Sequence, residues 1–150
     1  MELSAYDLVK AFDSFDYSFY SEGPKGRIRK IVRIRPVKRL GPNAFNLAFG
    51  DLDETSGQLN DKVVSNNHDR LKILNTVAIA VLDFMGYNPN ALVLVKGSSL
   101  SRTRLYQMTI NSFWPLINRQ FILYGKIGDD WLPFKKGAND EEFMLFKKIA

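Results

Sequence analysis

The chain has no cysteine and a single histidine among its 150 residues. The first absence excludes a disulfide framework, a thiolate metal site and a cysteine nucleophile, and it fits a reducing compartment. Together the two exclude zinc sites with several nitrogen or sulfur ligands, and cysteine–histidine catalysis. There is no G-x-S-x-G elbow, no G-x-G-x-x-G turn and no P-loop ending in Gly-Lys-Ser/Thr. A metal-dependent nuclease would place an acid two residues before a core-strand lysine, and "LVLVK" has none there. Long apolar runs are missing too. The longest, "TVAIAVLDFM", is too short and too interrupted to cross a bilayer. The N-terminal "MELSAYDLVKAFDSFD" has acids where a signal peptide needs a basic flank. These absences predict a soluble cytoplasmic chain with no membrane partner. They assign no cofactor, no metal ligand and no catalytic residue, and they lean against an enzyme.

What is present is ordinary globular composition, 45% hydrophobic and 25% charged, at the length of one domain spanning 1–150. The charge is unevenly placed. Residues 23–50 hold eight of the 21 basic residues and no acid, leaving 13 basic against 16 acidic residues elsewhere. The core of that segment, "RIRKIVRIR", alternates as a strand half-buried on one face should. Ile28, Lys30, Val32 and Ile34 point one way; Arg27, Arg29, Ile31, Arg33 and Arg35 point the other. Strand geometry spreads those four arginines along a rail of about 26 Å, able to follow phosphates without reading bases. The competing expectation is a solvated strand face whose arginines pair with acids across the ladder.

The apolar pattern predicts a short amphipathic helix over residues 1–14 (Leu3, Tyr6, Leu8, Val9 and Phe12). Strands follow at "YSFYS", at the basic segment as far as Pro36, and at "AFNLAFGD", forming an antiparallel meander. A helix is expected from Arg70 to Met85, capped by Asn66, Asn67 or Asp69 and stopped by Gly86 and Pro89. "ALVLV" reads as a buried strand. A second helix follows, with Tyr106, Ile110, Phe113 and Ile117 on one face and Pro115 near its end. "QFILYGKI" and "DWLPFKK" read as a hairpin about Gly128–Asp129, and the tail as either helix or strand. The fold class expected is α+β: a mainly antiparallel sheet of about five to six strands, with two principal helices packed on one face.

The loop "VKGSSLSRTRLY" is the second candidate site. A strand runs into Gly97, then Ser98, Ser99 and Ser101, and a helix begins with Arg102 and Arg104. A helix N-terminus with hydroxyls and guanidinium groups suits a phosphate. One serine is needed as an ordinary cap in any case. Acids at Asp51, Asp53 and Glu54 read as a solvated turn rather than a Mg²⁺ site.

"FNLAFGD", "SNNHDRLKILNTVAIAVLDF" and "KGSSLSRTRLYQMTI" together resemble an uncharacterised family of Bacteroidetes proteins, known only as a domain of unknown function. The resemblance covers most of residues 15–147, and its most specific block is Arg-Thr-Arg-Leu-Tyr with the preceding Gly-Ser. It implies no activity, cofactor or catalytic residue. It implies Asn-Gly-Asp where this chain has Asn67-His68-Asp69, which argues against a catalytic His68. It adds Asn67, Asp69 and Tyr106 as supporting positions beside Gly97, Arg102 and Arg104.

Three functions remain: a nucleic-acid or phosphoanion-binding module, a protein-interaction domain of a bacterial toxin–antitoxin or defence pair with an acidic partner, and an enzyme on a phosphorylated small molecule. The first is the expectation carried forward.

Overall fold

A computed structural model describes residues 4–60, 67–97 and 99–148. Ser98 and the candidate cap Asn66 lie outside the described residues. Nine strands and two helices are present among the described residues: β1 (Val9–Lys10), β2 (Asp16–Gly23), β3 (Gly26–Pro36), β4 (Ala44–Leu52), β5 (Leu59–Asn60), α1 (Arg70–Tyr87), β6 (Leu92–Val95), α2 (Leu100–Gln120), β7 (Phe121–Ile127), β8 (Asp130–Pro133) and β9 (Glu142–Lys147). The hydrogen-bonded order is β1-β2-β3-β4-β6-β9-β7-β8, with β5 paired to β4. The β4–β6 pair is parallel; β1–β2, β2–β3, β4–β5, β6–β9, β7–β9 and β7–β8 are antiparallel.

The sheet thus exceeds the expected five to six strands. β1 and β5 are two residues each, too short to carry an alternation signal, and pairing with a long neighbour is what makes them strands. The chain divides into two compact units, Met1–Ile34 with Ala48–Tyr87, and Arg35–Leu47 with Asn88–Ala150.

In the first unit, β2 and β3 form a hairpin registered from Asp16↔Arg33 to Gly23↔Gly26. Gly26 takes φ 86°, a left-handed conformation that glycine adopts without strain. Alternation sends Tyr17, Phe19 and Ser21 of β2, and Lys30, Val32 and Ile34 of β3, to the buried face. α1 packs there through Thr76, Ala80, Val81, Phe84 and Met85. Phe15 meets Phe84 edge-on at 4.9 Å, and Phe19 stacks between Tyr6 and Phe49. Lys30 is buried on this apolar face because Asp51 Oδ1 receives its ammonium; an unpaired buried lysine would be expensive. The N-terminal helix expected from periodicity is absent from residues 4–14. The α1 side chains take the backbone groups that such a helix would use: Tyr6 N–H donates to Thr76 Oγ1 (2.9 Å) and Asn75 Nδ2 donates to Ser4 O (3.0 Å).

In the second unit, the first half of β4 pairs with β6 in the register Ala44↔Leu92 to Leu47↔Val95. β9 settles the ambiguous tail as a strand between β6 and β7. The β7–β8 hairpin turns at Gly128, with φ 62°. α2 lays Tyr106, Ile110 and Trp114 over Leu123, Phe134 and Phe143, with Val95 and Leu145 alongside. Pro115 lies inside α2, five residues before its last residue Gln120. Its ring removes one N–H and crowds the preceding turn, and Phe113 departs to φ −116°, ψ 18°, kinking the helix, which continues to Gln120.

Candidate anion-binding interface

Arg27, Arg29 and Arg33 of β3 stand on the face away from α1, as alternation requires. Opposite each of two lies an acid on β2: Glu22↔Arg27 and Asp16↔Arg33. Arg27 Nε is 3.8 Å from Glu22, Arg29 is 3.9 Å from Glu54, and Arg33 Nε is 3.6 Å from Asp16. Arg33 also donates to Gly57 O (3.3 Å). The Arg27 guanidinium lies 3.7 Å above the Tyr20 ring centroid, and Tyr20 OH donates to Glu54. These pairs are loose: Arg29 Nε and Arg33 Nε are buried without a hydrogen-bond partner. The Arg27–Glu22 pair is exposed, and such pairs contribute about 0–1 kcal/mol. Arg27, Arg29 and Arg33 are therefore charge-matched by acids of the same unit. Arg35 is exposed near the strand's end.

The acid turn after β4 has no convergent geometry. Asp51 holds Lys30, and Glu54 accepts from Tyr20. Asp53 Oδ1 accepts from the Thr55 and Ser56 N–H groups, which hold its carboxyl below the usual range. Among the described residues no three acids or histidines gather as metal ligands.

At the other candidate, Ser99 caps α2, accepting the Arg102 N–H at 3.2 Å, and its carbonyl takes the Thr103 N–H at 3.0 Å. Thr103 Oγ1 accepts the Gly97 N–H (3.1 Å) and donates to Ser99 O (3.1 Å). Gly97 and Thr103 are both buried. Thr103, which the sequence does not single out, is thus the residue that fastens the loop to the helix. Arg102 is half-buried with its Nε shielded and without a hydrogen-bond partner. Ser101 and Arg104 are exposed. Among the described residues neither arginine has a carboxylate within 4 Å. Tyr106 belongs to the core beneath the helix.

Asn67 and Asp69 belong to a buried network in the first unit. Asn67 Nδ2 donates to Ser21 Oγ (3.1 Å) and Gly26 O (3.0 Å), and its Oδ1 accepts the Lys25 N–H (2.7 Å). Asp69 Oδ2 accepts from Ser21 Oγ (2.5 Å) and Tyr6 OH (2.6 Å), and its carbonyl takes the Ile73 N–H as α1 begins. Burial, and then the bond to Asp69, push the Tyr6 hydroxyl pKa up. Between them His68 sits at φ 60°, the left-handed region that glycine occupies most cheaply. These two positions organise the hairpin and the helix start.

One buried acid escaped the sequence reading. Asp140 is 8% exposed, its Oδ2 has no partner, and its carboxyl fills the space a side chain at Gly125 would take. Its N–H donates to Gln107 Oε1 at 3.2 Å. Burial raises its pKa. The folded chain therefore holds this proton more tightly than the unfolded chain. The stabilising contribution is complete below the ordinary aspartate pKa, about 4, and is lost as pH rises through the raised value. Asp140→Asn is expected to stabilise the chain at neutral pH, with the gain vanishing on acidification. Denaturant unfolding of both forms from pH 4 to 8 checks this; equal stabilities throughout would refute the assignment.

Curated proteins and solved structures offer no match to the chain. A family description does match, over residues 2–148, covering both units and both candidate surfaces. The chain belongs to the DUF6934 family, a family of unknown function.

Proposed function

We propose that the chain is a phosphoanion-binding module, with nucleic-acid phosphates as its ligand class and the first turn of α2 as its principal contact. The observation that carries the reading is Arg102. Its guanidinium Nε is shielded from water without an acceptor, in the first turn of a helix whose leading N–H groups also lack intrahelical partners. Ser99 satisfies one of them. The hydroxyl of Ser101 and the charge of Arg104 stand exposed in the same turn, and the helix dipole favours an anion there. The β3 arginines are a secondary surface, since their acids must be displaced before phosphates engage.

The test is a salt series of binding to short labelled single- and double-stranded DNA and RNA, with Arg102→Ala and the double variant Arg29→Ala/Arg33→Ala alongside. Arg102→Ala is expected to weaken binding alike for all sequences. It should also flatten the logarithmic salt slope by about 0.7–0.9, the share of one phosphate contact. No binding at low salt, or binding indifferent to Arg102→Ala, would overturn the reading.

A second reading rests on the β2–β3 face. Asp16, Glu22 and Glu54 interleaved with Arg27, Arg29 and Arg33 suit a protein surface of mixed charge better than a polyanion. Retention of a protein partner that depends on Arg29 and Arg33, with no nucleic-acid binding, would favour it.

A further inference from the structure

A cluster at the C-terminal end of α1 belongs to neither candidate surface. Asp83 and Tyr87 are four residues apart and so share one helix face. Tyr17 of β2 lies directly across the ladder from Lys10 of β1. Tyr17 OH donates to Asp83 Oδ2 at 2.6 Å, which fixes the carboxylate. Phe15 completes the group, with its ring 6.3 Å from that of Tyr87. Into this space β1 delivers an ammonium. Lys10 Nζ lies 3.0 Å from Asp83 Oδ2, 4.1 Å from the Tyr87 ring centroid, 5.3 Å from Phe15 and 5.8 Å from Tyr17.

We propose that Phe15, Tyr17, Tyr87 and Asp83 form a cage for organic ammonium groups, closed here by the chain's own Lys10. Three aromatic rings and a carboxylate about one nitrogen are the chemistry by which proteins hold alkylated ammonium ions. The helix end adds to it. The last turn of α1 carries no basic residue of its own, so the negative end of its dipole is answered only from outside the helix. The Tyr17 hydroxyl first, and Lys10 second, keep the Asp83 carboxyl below its usual range.

The plug is held lightly. β1 is two residues long, both exposed, at the edge of the strand order. The Lys10 and Asp83 side chains are 36% and 43% exposed, and Tyr87 is 69% exposed. A tethered lysine competes at an effective concentration in roughly the millimolar range. A free ammonium ligand therefore has to exceed that to enter, or to arrive when β1 is displaced.

The experiment uses tetramethylammonium chloride against sodium chloride at equal ionic strength, followed by NMR of the full chain. In Lys10→Ala and in Lys10→Met, which keeps the stem, tetramethylammonium is expected to shift the Tyr17, Asp83 and Tyr87 signals saturably. Adding Tyr87→Ala should weaken that binding by about 2- to 30-fold, the range one cation–π contact covers. The unaltered chain should respond only at higher concentration. Its Lys10 ε-methylene protons should lie upfield, over the Tyr87 ring, and move back as tetramethylammonium displaces them. Absence of saturable shifts in both Lys10 variants, or binding indifferent to Tyr87→Ala, would overturn the proposal. If neither variant folds, Lys10 signals at ordinary positions in the unaltered chain would do so.

Discussion

Alanine at Gly97 is expected to destabilise the chain by about 3 kcal/mol, the upper end of what forced overpacking costs. The added Cβ would stand 2.4 Å from Thr103 N, 2.6 Å from Thr103 Oγ1 and 2.9 Å from the Arg102 carbonyl carbon. Two of those three atoms are backbone, in the first turn of α2, so no side-chain rotation relieves the contact. The bond from Gly97 N–H to Thr103 Oγ1 would break with it. For a domain of this size the loss corresponds to roughly 6–12 °C in Tm. The same change moves Arg102, so phosphate binding should fall further than stability alone explains. Thermal unfolding of Gly97→Ala beside Thr103→Val checks the account. Thr103→Val removes the hydroxyl but leaves Gly97 its space and is expected to cost less, about 1 kcal/mol. A Gly97→Ala variant as stable as the parent would show that the loop has room the structure does not give it.

Asn67→Ala is expected to cost about 2–4 kcal/mol, the loss of three hydrogen bonds. Its amide makes three hydrogen bonds at a position only 2% exposed. Truncation removes three hydrogen bonds, of which the one to Ser21 Oγ is buried and those to the Lys25 N–H and the Gly26 carbonyl lie on exposed residues, at about 0.5–1.5 kcal/mol each. Gly23 sits so close that any side chain on it would meet Asn67 O at 2.1 Å, so the hairpin tip has no slack with which to collapse onto the gap. Asn67→Asp should be nearly as damaging, because it keeps the acceptor for Lys25 but loses both donors. Asp69→Asn should be milder, since an amide oxygen still accepts from Tyr6 and Ser21. Denaturant unfolding of the three variants orders them; a mild Asn67→Ala would mean that water replaces the amide.

The Arg27–Arg35 alternation placed β3 and sorted its faces correctly, down to Lys30 on the buried side. α1, β6, α2 and the Gly128 hairpin were legible for the same reason, because each is long enough for its own period or carries its own turn residues. Residues 4–14 were misread. Leu8, Val9 and Phe12 fit a helical spacing, yet Val9 and Phe12 end exposed, and pairing with β2 overrides the local pattern. β1 and β5 were invisible because two residues have no period.

The candidate surfaces divide in the same way. A serine cap follows from the chemistry of a helix start, and a few residues of sequence contain it; that Ser99 is the cap and Arg104 the exposed arginine came from the structure. That Gly97 serves close approach to Thr103 required the return of the helix over the loop. The charges of Arg27, Arg29 and Arg33 were plain in the sequence, whereas their neutralisation depends on register with Asp16 and Glu22 and on where Glu54 comes to rest. Lys10 and Asp83 are 73 positions apart, and no spacing rule could join them.

By itself, then, the sequence determined the periodic elements, the one-sided basic segment and the capped start of α2, because periodicity and capping act over a few neighbouring residues. Only the tertiary structure decided which charges are matched, where Asp140 is left unpaired, what Asn67 holds together and what surrounds Lys10. Those outcomes are set by pairing register and by packing between segments distant in the chain, where the free energy of each contact depends on the partner that folding brings to it.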